Sequence, residues 1–120
     1  MQNQSLADSD ALANQNPASP LAKKPPAAYL IGHITVKDPA KWAEYCRRVP
    51  ATVAPWGAAL VFRGEHAEAL AGDHAFTDTV VIRFPDRTAL NNWHESAAYQ
   101  AIVPIRQQAA DVVIVSYDEQ

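Results

Sequence analysis

A chain of 120 residues, 48% hydrophobic and 19% charged, fits one domain and not two. Its net charge of -3, with no basic run longer than Lys23–Lys24 or Arg47–Arg48, argues against a nucleic-acid surface, which needs a basic patch to neutralise phosphates. A single cysteine, Cys46, excludes an intrachain disulfide, and no apolar stretch approaches the roughly 20 residues that cross a bilayer. With no charged leader followed by an apolar run, the expected setting is cytoplasmic, without a membrane or nucleic-acid partner.

Residues 1–27 are rich in Ala, Asn, Gln, Ser, Asp and Pro and hold no aromatic residue. Such a segment buries too little apolar area to offset its ordering entropy, so it reads as a flexible tail ending in Lys23-Lys24-Pro25-Pro26. A short helix over Ser5–Ala13, capped by Ser5 with Asp8 as its boxed acid, is marginal alone. The domain proper is expected over residues 28–120.

Tyr29–Val36, rich in β-branched and aromatic residues, predicts a strand with apolar side chains on both parities. Asp38-Pro39 then starts a helix: Asp38 can accept from the exposed first-turn N–H groups, and Pro39 suits a position whose N–H has no partner. Trp42, Cys46, Val49 and Val53 recur at spacings of three and four and form one apolar stripe. Pro50 is expected to kink or interrupt this helix, and Pro55-Trp56-Gly57 to end it. Ala59–Arg63 is a second strand. Gly64–Asp78 reads as a hairpin connection with a short extra strand near Ala67–Leu70. Thr79–Phe84 is a third strand, stopped by Pro85-Asp86, and Asp86 caps a short helix through Trp93. Ser96 opens a longer helix bent at Pro104, and Val112–Tyr117 is the last strand.

The order β-α-β-β-α-β, with right-handed crossovers, gives an α+β fold of ferredoxin-like topology with both helices on one face and the first and third strands in the centre. Two helices cover one face only. Tyr29, Ile31, His33 and Thr35 share one parity of the first strand, Leu30, Gly32, Ile34 and Val36 the other, and Val112–Tyr117 is apolar on both. A second cover is therefore expected, most simply the same sheet of a second subunit in a homodimer, otherwise the tail folded back.

The segments YLIGHITVKDPAKWAEYCRRVPATVAPWGA, VFRGE, TVVIRFPD and NWHESAAYQAIVPIRQQAADVVIVSYD occur in order over about three quarters of the chain. Together they resemble a small bacterial family of the dimeric α/β-barrel superfamily, domain of unknown function thirteen-thirty. The resemblance implies a ferredoxin-like protomer and a dimer of face-to-face sheets, and no agreed activity. The wider superfamily holds cofactor-independent monooxygenases, muconolactone isomerases, haem-dependent peroxidases and non-catalytic binders, so fold alone fixes no chemistry. Residues 1–27 have no counterpart in the family pattern.

The candidate catalytic pair is His33 and Arg83. His33 lies in mid-strand, where an imidazole needs partners and can serve as general acid or base. Arg83, if on the same side, could hold a carboxylate or enolate. The alternative is a hydrogen-bonded interface histidine and an arginine paired across a dimer. Arg63, also on a strand, must likewise be paired or face a pocket. Tyr45, Trp93, Tyr99 and Arg106 form a second constellation that could wall a ligand cleft between helices and sheet; the alternative is ordinary core aromatics with Arg106 reaching outward.

Asp38 and Asp86 are explained by capping. Cys46, on the apolar stripe, reads as a packed thiol. His33, His66, His74 and His94 show no short ligand spacing, so no metal is assigned, although a site assembled from His66 and His74 in space stays open. No phosphate loop, dinucleotide fingerprint or C-x-x-C-H motif occurs, and no cofactor is assigned. Function is thus expected to be binding of a small hydrophobic acidic or enolic molecule. The rivals are a cofactor-independent monooxygenase- or isomerase-like enzyme, with His33 moving the proton and Arg83 or Arg106 holding the anion, and a purely structural dimer module.

Overall fold

The computed structural model describes residues 24–120. The helix expected over Ser5–Ala13 lies outside the described residues. From Ala27 the chain is already anchored: Ala27 is buried, and its carbonyl accepts from the Glu119 amide at 2.8 Å.

The elements follow the expected order. Strand β1 (Ala28–Val36) leads through Asp38 into helix α1 (Pro39–Val53) and a 3-10 turn (Ala54–Trp56). Strands β2 (Ala59–Glu65) and β3 (Asp78–Phe84) form a hairpin. Helices α2 (Arg87–Glu95), α3 (Ala97–Gln100) and α4 (Val103–Ala109) then lead to β4 (Ala110–Asp118). The antiparallel sheet runs β2-β3-β1-β4, the ferredoxin-like order, with β1 and β3 central.

The caps act as read. Asp38 Oδ1 accepts from Lys41 N at 3.1 Å and Asp86 Oδ1 from Ala89 N at 2.8 Å. Ser96 Oγ accepts from Tyr99 N at 3.2 Å and so opens α3. Each removes an unpaired donor from a helix start.

Three expectations are corrected. Pro50 does not interrupt α1, which continues to Val53; tertiary packing of Trp42, Cys46, Val49 and Val53 on the core outweighs the one backbone bond that Pro50 removes. No strand forms at Ala67–Leu70, an exposed stretch with no strand beside it. The helix expected from Ser96 onward is two short helices, not one bent one. Pro104 has no N–H for the Gln100 carbonyl. The chain instead tightens, Ile102 N donating to Tyr99 O at 3.0 Å, and restarts as α4.

Parity divides the sheet. Ala28, Leu30, Gly32 and Ile34 of β1, Val80, Ile82 and Phe84 of β3, and Val112 and Ile114 of β4 face the helices. Ile31, His33, Val81, Val113, Val115 and Tyr117 face the other side, which no element covers among the described residues. The Cα trace measures 47 × 37 × 16 Å, a slab one helix layer and one sheet thick.

A β-bulge at Val61, between Leu60 and Phe62, breaks the alternation of β2. By simple parity Arg63 would share a face with Ala59; the extra residue instead sets Arg63 opposite Val80, on the helix side. Phe62 lies over Gly64, where a Cβ would press on the tip of the Phe62 ring.

The core centres on Phe84, Trp93 and Tyr99, all fully buried. The Trp93 indole stacks obliquely on Tyr99 at 4.1 Å between ring centroids, and its Nε1–H donates to Thr52 Oγ1 at 3.0 Å. Thr52 in turn donates to the Val49 carbonyl at 2.7 Å, so one short chain of polar atoms ties α2 to α1. Thr52→Val keeps the shape and orphans the buried indole N–H. A loss of about 1–3 kcal/mol in unfolding free energy is expected from urea titration.

Candidate functional site

Between α1 and the helix-facing side of the sheet lies a cavity of about 340 Å³. Its floor is the central sheet, with Leu30, Gly32, Ile34, Val80 and Ile82. Its roof is the apolar stripe of α1, including Trp42, Cys46, Val49 and Val53, and Trp93 and Tyr99 close one end. Trp42 and Tyr45, which both line the space, stack with ring centroids 5.1 Å apart and planes 28° from parallel. An apolar cleft of this size with few polar groups has the dimensions of a small-molecule site.

The polar groups are few and ordered. The hydroxyls of Tyr45 and Tyr99 meet at 2.8 Å, and Arg106 Nη1 donates to Tyr99 Oη at 2.8 Å. Arg106 does not reach outward; α4 returns it to the buried phenol pair. Since the guanidinium can only donate, Tyr99 Oη accepts from it and can pass its own proton to Tyr45 Oη. The Tyr45 proton is then left for another acceptor. Burial pushes the Tyr45 hydroxyl far above the ordinary tyrosine range, with Tyr99 adding to the rise and Arg106 pulling partly back. Tyr45 is thus a neutral donor and not a phenolate base.

Arg63, brought round by the bulge, stands at the mouth with Asp78. Cys46 lines the same space; burial raises its thiol pKa and Arg63 partly offsets this. A thiol shifted upward is a poor nucleophile at neutral pH.

The structure brings Tyr45, Arg63, Trp93 and Tyr99 to one cavity and joins Arg106 to it through Tyr99. It does not bring His33 and Arg83 there. Both lie on the opposite face, and they are not together: His33 is in register with Thr79, whereas Arg83 is in register with Tyr29, four residues along β1. His33 Nδ1 lies 3.3 Å from Thr79 Oγ1 and its ring 5.2 Å from that of His74, which is 5.1 Å from His66. Among the described residues no three His, Cys, Asp or Glu side chains are set to hold a metal ion. Sequence reasoning missed Gly32, Trp42 and Cys46 as cavity residues. Only the glycine, in the middle of a central strand, carried a signal.

The chain matches Domain of unknown function (DUF1330) over residues 27–118 and belongs to that family. No curated protein matches it. Among solved structures it is similar to a protein of unknown function from Rhodopseudomonas palustris, at 15% identity and TM-score 0.70 over 83% of this chain and 87% of that one. It is also similar to SnoaB, a cofactor-independent oxygenase from Streptomyces nogalater, at 13% identity and TM-score 0.57 over 79% and 94% of the two chains. A third relative is a dimeric ferredoxin-like protein of unknown function from Jannaschia sp., at 10% identity and TM-score 0.64 over 78% and 99%. At these identities the likeness establishes the fold.

If burial holds the Tyr45 proton, stability depends on it at high pH. Below the unfolded tyrosine value near 10 both states keep the proton and there is no effect. As pH rises from there towards the higher folded value, the unfolded state releases the proton and the folded state does not, so stability falls. Urea titrations between pH 8 and 11 should show this decline, and Tyr45→Phe should flatten part of it.

Proposed function

We propose that the protein binds a small, largely apolar molecule carrying one acidic or enolic oxygen in the cavity under α1. The observation that carries this reading is the Arg106–Tyr99–Tyr45 chain ending at an otherwise apolar space. A guanidinium polarises two phenols in series, and the last can give its proton to a ligand oxygen with partial or full negative charge. Arg63 at the mouth adds a positive charge for an acidic substituent.

The SnoaB likeness favours a second reading, in which the same cavity hosts cofactor-independent oxygenation or isomerisation. Tyr45 would then stabilise a developing enolate, as a donor aimed at forming charge does. His33 and Arg83 do not enter that reading, because they lie on the other side of the sheet from the cavity.

The interface is part of the proposal: the open faces of two copies pack on each other. Four strands about 4.8 Å apart, two of nine residues and two of seven, present a face of roughly 19 by 26 Å. Two such faces bury about 1,000 Å², near the lower limit of specific interfaces, before the β2–β3 loop adds to it. Val113 and Tyr117 are 45% and 55% exposed on this face, a poor arrangement for a lone protomer. The Jannaschia relative is described as dimeric, which supports a dimer of this chain.

Two measurements test these statements. Quenching of tryptophan fluorescence should report binding of 2-naphthol and 2-naphthoate, since Trp42 and Trp93 line the cavity. Tyr45→Phe should weaken both by about tenfold, the worth of one charge-assisted hydrogen bond. No quenching by either probe, or equal affinity in the variant, would refute the site. Sedimentation equilibrium at micromolar concentration should give twice the chain mass, and Val115→Glu a folded protomer of single mass. A wild-type protomer of single mass would remove the dimer.

A further inference from the structure

Gly32 sits where a glycine is hardest to justify on stability. It is buried in the middle of central strand β1 and paired on both sides, with Val80 and Ile114. Glycine there forfeits side-chain packing and carries a larger entropic cost on folding than alanine. Its conformation does not require it, because only Gly57 and Gly72 among the described residues have positive φ. Nor does crowding account for it fully. A Cβ built at Gly32 would meet one atom within 4 Å, Val80 Cγ1 at 3.1 Å, the end of a side chain that itself borders the cavity. Everywhere else that Cβ would stand over open space.

Gly32 therefore leaves a bare patch of peptide in the cavity floor, in a space that Trp42 and Tyr45 also line. A strand glycine of this kind marks a place where another group approaches the backbone closely. We propose that Gly32 is the shape-selecting residue of the cavity, and that the ligand carries a flat ring system of two or more fused rings lying against the Gly32 peptide. A flat ring can rest at van der Waals distance on a peptide without a Cβ; a puckered ring of similar outline is thicker and cannot do so. Tyr45 then meets the oxygen on the ring edge. The inference rests on the ligand-binding reading above and adds to it the shape of the ligand and the residue that selects it.

The test compares 2-naphthol with its saturated counterpart 2-decalol in wild type and in Gly32→Ala. Wild type should prefer the flat alcohol, and the alanine variant should bind 2-naphthol about tenfold more weakly, the usual scale of one intruding methyl in a packed site. The preference between the two alcohols should shrink with it, while urea titration shows stability no lower than wild type. Should Gly32→Ala unfold because of the Val80 contact, Gly32→Ala/Val80→Ala against Val80→Ala alone gives the same comparison with that contact relieved. Unchanged 2-naphthol affinity in the alanine variants overturns the role of Gly32, with the ligand site left standing. Absence of 2-naphthol and 2-naphthoate binding in wild type overturns the site itself, and this inference with it.

Discussion

The structure depends on a mismatch between its layers. Four strands carry apolar side chains on both faces, because β1 and β4 do so on both parities, yet α1 to α4 all lie on one side. Burial of apolar area is the dominant favourable term in folding, so the helix side must supply the protomer's own core. It does so through Phe84, Trp93, Tyr99 and their neighbours. The same mismatch leaves a slab 16 Å thick whose second face calls for a partner surface. The cavity follows from the covered side. A space remains where α1 crosses a floor that includes a glycine.

Polar chemistry is distributed unequally between the two faces. On the covered side Arg106 donates to Tyr99, whose hydroxyl meets that of Tyr45, and Arg63 and Asp78 stand at the mouth. Burial keeps the Tyr45 phenol protonated and the Cys46 thiol above its ordinary range. Such a site donates hydrogen bonds; it is poorly suited to removing protons. On the open side His33, His66, His74 and Phe76 form a chain of rings, with Thr79 at the His33 imidazole. A mechanism needing a base must draw on groups outside the Tyr45 end of the cavity.

Element order was legible because its signals are local. Asp38-Pro39, Asp86 and Ser96 punctuate the chain where a helix start needs an acceptor, and the stripe Trp42, Cys46, Val49, Val53 has helical period. What escaped was non-local. The bulge at Val61 is a property of two strands in register, and it alone decides that Arg63 faces the cavity and not the open side. Likewise both parities of β1 are apolar, so nothing in Tyr29–Val36 told which would meet the helices; that choice separated His33 from Tyr45. The grouping of Arg106 with Tyr45, Trp93 and Tyr99 was legible; left open was whether the arginine turns outward, and it donates instead to the Tyr99 hydroxyl.

The bulge and the glycine have one logic. A regular β2 would send Arg63 to the open face and leave the cavity mouth without a cation; an alanine at 32 would press on Val80 and roughen the cavity floor. The bulge breaks the ladder, whereas Gly32 stays in register with Val80 and Ile114; both fall on strands bordering the same space. Gly64 is the contrasting case. It too lies within a strand, but there the Phe62 ring occupies the place of its side chain.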